Sequence, residues 1–360
     1  MRSAGGRAWI VLAVLVATTG GCGGGDGHGP GPRALSGARY VSPSGSDSDA
    51  GTRAKPWHTI QKALDALRPG ETAVVRSGVY RESLVMRRAG TVSAPITVRA
   101  YPGETAVVRP AGTGGMDYPV RITSGAAYFR FRRFVVEDAP LNETVNVYVA
   151  AQDRPYPHDI EIYGCEIRRS SGTGLLAEPN SRRVNVIGNV VHDNGDGSQQ
   201  HQGIYFQGKD GVIARNVVYG QSNGFGIQVR AGADRVLVTN NTAVGNSLSG
   251  IVVENTATRV TIVNNISAFN GGWAVRGYDS GDGPVLPGNS AHHNLGYGNQ
   301  GGEFANSERP VLDFSSGKNF VADPKFVDRD ARDFHLRPNS PARGKGDPRD
   351  ASGKANIGAY

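Results

Sequence analysis

Short runs of alternating apolar and polar residues recur at a nearly constant period across residues 159–294. When the runs are aligned, one column holds a small polar residue in every repeat: Cys165, Asn189, Asn216, Asn241, Asn265 and Asn289. A second column lies five residues further on: Ser170, Asn194, Gln221, Asn246, Asn270 and Asn294. The steps between repeats are 24, 27, 25, 24 and 24 residues. Strand-like runs at such a period, without helical spacing, predict a solenoid of β-coils.

The Asn columns have a physical explanation that needs no catalysis. Asn tolerates left-handed backbone angles at tight bends and bonds nearby backbone groups with its amide. In coils stacked about 4.8 Å apart, identical amides can also bond to one another along the column. We therefore interpret both columns as structural.

Each repeat contains a second strand whose side chains alternate between inside and outside. Its inward positions are apolar, as at Ile204 and Phe206. Its outward positions form two rows: Leu176, Tyr205, Gln228, Val252 and Arg276, and then Glu178, Gln207, Arg230, Glu254 and Tyr278. An earlier coil is predicted to add Asn146 and Tyr148 to these rows, and we expect the working surface on this face.

Residues 60–67 predict a helix ahead of the repeats. Ile60, Ala63, Leu64 and Leu67 share one helical face, and Pro69 with Gly70 ends the pattern. The first coil of a solenoid exposes an open end, so this helix is expected to be an N-terminal cap. The predicted fold is all-β, a single parallel β-helix with a helical cap.

The chain begins with the features of an export signal. Arg2 and Arg7 precede an apolar run at residues 8–17, and "TTGGC" follows. We expect residues 1–21 to be a lipoprotein signal with Cys22 as the lipidated residue, although Thr19 departs from the usual Leu. Residues 22–38 would be a Gly/Pro-rich tether, 39–337 the β-helix and 338–360 a tail. The protein is then expected to be lipid-anchored at the bacterial surface or envelope, or alternatively secreted.

The charge and composition of the chain exclude few classes of binding partner. Without residues 1–21 the chain has 37 Lys and Arg against 32 Asp and Glu, a net charge of +5. This favours anionic partners such as acidic polysaccharides, and it equally describes an ordinary solvated surface. Glycine accounts for 51 of 360 residues and falls at repeat corners. Two cysteines exclude a disulfide framework, and we expect a monomer that does not bind nucleic acid.

Both ends of the folded region resemble a known family. The stretch "YVSPSGSDSDAGT" with the helix after it, and "NFVADPKFVDRDARDFHLRPNSPARGKGD" near the C-terminus, are similar to secreted bacterial proteins of the pectate-lyase-like superfamily. The resemblance covers nearly all of residues 39–360 and implies a right-handed parallel β-helix. It is less specific for activity, because this scaffold carries lyases, hydrolases, epimerases and binding proteins.

One repeat is longer than the others and suggests a site. Fourteen residues separate positions 189 and 203, whereas other repeats use nine or ten. The excess, "HDNGDGSQQHQ", offers Asp193 and Asp196 as oxygen ligands for Ca²⁺ and His201 as a proton-transfer group. A polar Gly-rich turn would have the same composition.

The outward rows supply the other candidates. Arg230 is a candidate to neutralise a uronate carboxylate or to act as base, as in β-helix polysaccharide lyases, and Lys209 is a second base. Glu178 and Glu254 are further Ca²⁺ ligands. The substrate-binding candidates are Tyr148, Tyr205, Gln207, Gln228, Arg276 and Tyr278. Structurally, Arg230 and Glu254 would instead be an exposed pair contributing at most about 1 kcal/mol, and Lys209 a solvated turn residue.

Other chemistries lack their motifs. The sequence has no phosphate loop, no Ser-centred nucleophile motif and no Cys/His zinc spacing. His292 and His293 are adjacent on a predicted strand, so we expect them on opposite faces. The leading prediction is a lyase acting on an acidic polysaccharide, with Ca²⁺ as candidate cofactor. A glycan-binding or surface structural protein and a glycoside hydrolase are the alternatives.

Overall fold

The chain winds into nine stacked coils that form three parallel β-sheets around one core. The structure is a computed structural model that describes residues 37–112, 117–140, 144–347 and 356–360. Each coil contributes one strand to the first sheet, then one to the second and one to the third. The predicted right-handed parallel β-helix is confirmed.

Elements are numbered in chain order, and the helix found in the described residues, α1, spans Ile60–Ala66. The first sheet contains β1 (Arg39–Val41), β2 (Thr72–Val75), β5 (Ile96–Ala100), β8 (Ala127–Arg132), β11 (His158–Tyr163), β14 (Arg182–Ile187), β17 (Val212–Ala214), β20 (Leu237–Thr239), β23 (Thr261–Val263) and β26 (Ser290–His292). The second sheet contains β3 (Gly78–Arg81), β6 (Ala106–Arg109), β9 (Val135–Glu137), β12 (Glu166–Arg168), β15 (Val190–His192), β18 (Val217–Tyr219), β21 (Thr242–Val244), β24 (Ile266–Ala268), β27 (Leu295–Tyr297) and β29 (Phe320–Val321). The third sheet contains β4 (Leu84–Met86), β7 (Val120–Ile122), β10 (Val145–Val149), β13 (Thr173–Ala177), β16 (Ile204–Phe206), β19 (Ile227–Val229), β22 (Ile251–Glu254), β25 (Trp273–Tyr278) and β28 (Gly302–Asn306). An antiparallel hairpin follows, β30 (Phe326–Asp328) and β31 (Asp333–Leu336).

Alternation along the strands builds the core. Inward side chains such as Phe131, Phe206 and Ile227 are fully buried, while their strand neighbours face outward. Each such side chain contributes roughly 1.5–3 kcal/mol by leaving water. Because every coil stacks on the next, the core is a continuous column rather than a sphere.

The predicted helix is present at the start of the solenoid. The Thr59 side chain caps it by accepting a hydrogen bond from the Lys62 amide at 3.1 Å. Its apolar face buries Ile60, Ala63 and Leu64 in the main core. The helix lies against β1 and β4, the terminal strands of the first and third sheets.

The two Asn columns are buried hydrogen-bonded ladders, as predicted. Asn216 donates its side-chain amide to Asn241 Oδ1 at 2.9 Å, and Asn241 donates to Asn265 Oδ1 at 3.0 Å. The same Asn241 oxygen accepts the backbone amide of Asn216 at 3.0 Å. Both functions of the side chain, corner cap and ladder, are therefore combined in one residue.

The alignment of the last repeat was wrong by five residues. Asn265 continues to Asn294 in the first column, and Asn270 continues to Asn299 in the second. Asn289 instead accepts the amide of Val260 at another corner. The cause is a longer connection: residues 279–289 join β25 to β26, whereas only residues 255–260 join β22 to β23.

The C-terminal segment folds back over the second sheet. Phe326, Phe334, Leu336 and Ile357 pack on the outward side chains of that sheet.

In the described ranges, no helix is long and apolar enough to cross a membrane. The predicted signal, Cys22 and residues 22–36 of the tether lie outside the described residues, as do residues 348–355 of the tail. Lipidation and export stay predictions.

Glu137 supports a prediction about the pH dependence of stability. Its buried carboxylate pairs with Arg168 at 2.7 Å, Arg169 at 2.6 Å and Arg109 at 2.5 Å. Burial alone would raise the pKa of Glu137, but the arginines outweigh it and hold the pKa below 4.5. A lowered pKa means that the network stabilises the fold above pH ~4.5 and loses this contribution as the pH falls through the folded value.

Replacing Glu137 with glutamine is therefore expected to lower the free energy of unfolding by about 2 kcal/mol at pH 7, and by far less at pH 3. Urea denaturation at both pH values measures the difference. Glu308→Gln, at an exposed position, is the control. An equal loss at both pH values would contradict the ionic role.

Candidate functional site

The outer face of the third sheet carries the first predicted row in direct register. Strand pairing places its members side by side in successive coils: Leu176, Tyr205, Gln228, Val252 and Arg276. Tyr148 pairs with Leu176 and so extends this row, whereas it was predicted to precede Glu178 in the second row. In the second row, Glu254 pairs with Tyr278. Asn146 was wrongly placed in these rows, because it is fully buried and its amide reaches Asn194 in the second Asn column at 3.4 Å.

Arg230 and Glu254 form the charged centre of this face. Arg230 Nε lies 2.6 Å from Glu254 Oε2, and Arg230 Nη1 donates to the Tyr205 hydroxyl at 3.2 Å. Gln228 donates to the other oxygen of Glu254, and Gln202 donates to Gln228 Oε1 at 2.5 Å. Glu254 and Gln228 are almost completely buried. The carboxylate of the pair is therefore desolvated while the Arg230 side chain stays 38% exposed, so this is not the fully exposed pair considered from the sequence.

The protonation of this network limits what it can do. Burial raises the pKa of Glu254, and the nearby Arg230 only partly opposes this effect. Burial alone would lower the pKa of Arg230, but Tyr205 and Glu254 outweigh it, so the pKa is raised. Arg230 therefore stays a guanidinium cation, which suits binding of an anion and does not suit proton abstraction.

Aromatic side chains flank the charged centre. Tyr148 stacks on Tyr118 with ring centroids 4.7 Å apart and donates its hydroxyl proton to Glu178 Oε1 at 3.1 Å. Burial, followed by the charge of Glu178, raises the pKa of Tyr148 well above its ordinary value. Towards the other end, the Arg276 guanidinium lies 4.9 Å from the centroid of Tyr278. Gln207 donates to the Tyr205 hydroxyl at 3.4 Å.

A cleft of about 820 Å³ opens beside these rows, at the corner where the third sheet leads into the first. It adjoins the outer face, because Pro179 directly follows Glu178 and Lys209 lies two residues after Gln207. Its lining comes from the corners of three successive coils: Arg154, Pro155, Tyr156, Pro157, His158, Pro179, Asn180, Arg182, Arg183 and Lys209.

The cleft has an excess of positive charge. Arg183 pairs with Asp159 at 2.6 Å, and Arg182 pairs with Asp210 at 3.1 Å. Lys209 and Arg154 are exposed, and neither has a carboxylate partner within 4.0 Å in the described parts of the chain. The cleft therefore presents two uncompensated cationic groups.

The three predicted catalytic residues are divided between two edges of the third sheet. His201 precedes β16 and is buried, with Nε2 lacking a hydrogen-bond partner among the described residues. Burial lowers the pKa of His201, although the charge of Asp196 opposes this effect. Lys209 follows the other end of β16, and Arg230 directly follows β19. Lys209 and Arg230 thus share an edge that His201 does not reach.

The four predicted calcium ligands do not share a cradle. Asp193 points to the hairpin that covers the second sheet and pairs with Arg332 at 2.7 Å. Asp196 accepts a hydrogen bond from the Ser198 hydroxyl at 2.6 Å in an exposed turn. Glu178 and Glu254 are three coils apart, roughly 14 Å. These four residues are not placed to bind one common calcium ion, so the proposed reaction includes no step that uses calcium.

Apart from Lys209, the cleft residues were missed in the sequence, although a signal was present. The bridge between Arg182 and Lys209 places them at the same corner in neighbouring coils. In the sequence, "NSRR" and "GKDG" follow equivalent strands, one repeat apart. Comparing corners, and not only strands, would have brought these cations together.

Comparison with known proteins identifies the family. A family model described as the Pel9A-like, right-handed β-helix region matches residues 39–220, more than half of the chain. The chain belongs to the Pel9A-like β-helix family. A general model of the right-handed β-helix region also matches residues 146–308. The Pel9A-like match includes the cleft and the corner that carries Lys209.

Curated relatives of this Pel9A-like chain match over a short stretch. The uncharacterized protein YwoF of Bacillus subtilis is 38% identical over 79 residues, 22% of this chain and 17% of the relative. Pectate lyase PEL9 of Emericella nidulans is 40% identical over 79 residues, 21% of this chain and 19% of the relative. The match therefore spans less than a fifth of either relative.

Solved structures extend the likeness over the whole fold. Pectate lyase Pel9A superposes with a TM-score of 0.61 and 16% identity, over 90% of this chain and 96% of that one. The complex of XylC with xylose gives a TM-score of 0.54 and 14% identity, over 74% of this chain and 68% of that one. At these identities the likeness establishes the fold alone.

Proposed function

We propose that this protein cleaves an acidic polysaccharide by β-elimination at the cationic cleft. The observation that supports this proposal is the corner where Arg154 and Lys209, which have no carboxylate partner within 4.0 Å in the described residues, line one cleft beside the Tyr205–Arg230 face. Cationic groups without carboxylate partners suit a polymer with a carboxylate on each sugar. A relative named as a pectate lyase supports this substrate class.

The proposed reaction needs three tasks from the side chains. Arg154, the cleft arginine without a carboxylate partner in the described residues, neutralises the uronate carboxylate and makes the adjacent carbon-bound proton more acidic. Lys209 accepts that proton after it has released its own to solvent. The electron pair forms the new carbon–carbon double bond, the glycosidic bond breaks, and the leaving oxygen takes a proton from solvent.

Lys209 is preferred over the other two predicted bases because of its placement. His201 is buried at the opposite edge, and Arg230 is held as a cation by Glu254 and Tyr205. Arg230 is assigned to substrate binding, where its charge and the Tyr205 ring meet the neighbouring sugar.

The decisive experiment incubates the purified protein with polygalacturonate, alginate and glycosaminoglycans and follows ultraviolet absorbance. A rising signal from unsaturated uronate supports the lyase. New reducing ends without that signal would indicate a hydrolase, and binding without either product would indicate a glycan-binding protein. EDTA, followed by Ca²⁺ or Zn²⁺ alone, tests a metal requirement independently of the predicted ligand set.

Tyr205→Ala is expected to weaken binding of the polysaccharide by about tenfold, because a sugar ring loses its stacking partner. Tyr205→Phe should keep most of the affinity, since the ring remains. Isothermal titration calorimetry with an oligouronide measures both. Tyr163→Ala on the first sheet is the matched control, and an equal loss there would contradict the assignment of this face.

A further inference from the structure

A group of potential metal ligands lies at the corner between the first and second sheets, a different corner from that of the cleft. In the described part of the chain, His292, His293 and Asp347 are the three His, Cys, Asp or Glu side chains whose ligand atoms lie within 4.8 Å of one another. His292 ends β26 in the last complete coil, and Asp347 belongs to the C-terminal tail. The proposed polysaccharide chemistry uses none of them.

Backbone geometry explains why two adjacent histidines converge. His293 has φ 54°, in the left-handed region. It stands in a corner column in which each coil has a left-handed residue between the first and second sheets: Gly188, Arg215, Asn240 and Asn264 precede it. A strand pair would point to opposite faces, but this turn brings the His293 ring beside His292. The expectation of opposite faces was therefore wrong.

The distances among the three ligand atoms match a small metal ion. The two Nδ1 atoms are 3.0 Å apart, and Asp347 Oδ2 lies 3.9 Å from His292 Nδ1 and 3.8 Å from His293 Nδ1. A triangle with these sides has a centre about 2.1 Å from every corner, close to the usual zinc–nitrogen and zinc–oxygen distances of ~2.0–2.2 Å. An ion therefore fits with little movement of the ligands.

We propose that His292 Nδ1, His293 Nδ1 and Asp347 Oδ2 bind a Zn²⁺-like transition-metal ion. Imidazole nitrogens suit zinc, copper and nickel, whereas calcium selects oxygen ligands. Binding requires both Nδ1 atoms to be unprotonated, so the proton shared between the rings moves to an Nε2 position or to solvent. The side chains are 22%, 13% and 6% exposed, so the three ligand atoms lie in a largely buried group that still touches solvent at His292.

The ion would fasten the tail to the last coils. The backbone amide of Asp347 already donates to Asn264 Oδ1 at 2.8 Å, and that of Gly358 donates to the Asn264 carbonyl at 2.8 Å. A metal bond adds a second attachment one coil further along. Arg343 and Lys345, which are exposed and just precede Asp347, report on this attachment as trypsin sites.

The test uses the chain purified without a polyhistidine tag, stripped with a chelator and titrated with ZnCl₂. Calorimetry is expected to show one site. His293→Asn, which keeps a residue that tolerates the corner, and Asp347→Asn should each weaken binding by more than the roughly 10–100-fold typical of losing an outer-shell partner. His335→Asn, at another His–Asp pair, is the matched control and should bind normally.

Limited trypsin digestion supplies a readout apart from binding. Zinc is expected to slow cleavage after Arg343 and Lys345 at least about tenfold in the wild type, and not in Asp347→Asn. Zinc bound equally by all variants, no saturable site in the wild type, or protection retained in both ligand variants would each overturn the proposal. Circular dichroism of the variants separates lost binding from lost folding.

Discussion

Replacing Lys209 with alanine is expected to lower the turnover of a polyuronate by about 10²–10⁴-fold, the range that a positioned base contributes. The side chain is exposed at the cleft and has no carboxylate partner within 4.0 Å in the described residues, so its removal leaves the fold intact. Initial rates of unsaturated product measure the effect. Lys318→Ala, an exposed lysine outside the cleft, should leave turnover unchanged.

Lys209→Arg separates the charge of Lys209 from its proton chemistry. Arginine keeps the positive charge but stays protonated at any working pH. If Lys209 is the base, this variant should be nearly as inactive as Lys209→Ala while still binding the polymer. Retained turnover would show that only the charge matters and would remove Lys209 from the base role.

The second large effect concerns stability. Asn241→Ala is expected to lower the free energy of unfolding by about 3–5 kcal/mol. The fully buried side chain accepts the Asn216 amide and donates to the Ile213 carbonyl at 2.8 Å and to Asn265. Its removal leaves buried backbone groups without partners in two neighbouring coils, and interrupts the ladder.

Thermal and chemical denaturation of Asn241→Ala measure this loss. Asn339→Ala, at an exposed position in the tail, should be close to neutral. Asn289→Ala removes a buried amide outside the ladders and should cost less than Asn241→Ala. An equal cost at residues 241 and 289 would show that coupling along the column adds nothing.

Local periodicity was sufficient to predict the architecture and the outward row from Leu176 to Arg276. Both depend on the alternation of apolar and polar residues and on the repeat length, and both of these can be read directly from the sequence. The prediction failed at Asn289 because the connection before it is longer. A step of 24 residues therefore no longer led to the equivalent position in the next coil. Asn294, the true member of the column, stood five residues away.

The chemistry of the site was predictable only in part. Asp193 and Asp196 share one loop in the sequence, yet Asp193 pairs with Arg332, which lies 139 residues later in the C-terminal hairpin. The commitment of Arg230 to buried Glu254 likewise depends on three-dimensional packing. His293 shows a third limit of prediction from sequence. Its left-handed backbone conformation places its side chain beside that of His292, whereas adjacent residues in a regular strand point to opposite faces.

The Asn ladders keep a constant spacing from coil to coil, whereas the corner connections can vary in length. Residues 279–289 show that a corner can lengthen while Asn265 and Asn294 keep their bond at 2.9 Å. Side chains at one corner thus recur along the axis with a pitch of about 4.8 Å, set by the backbone alone. Substitutions and insertions at the corners can change the charge and depth of a groove on this scaffold. They do not change the coil spacing, which sets the distance between successive contacts to a repeating polymer.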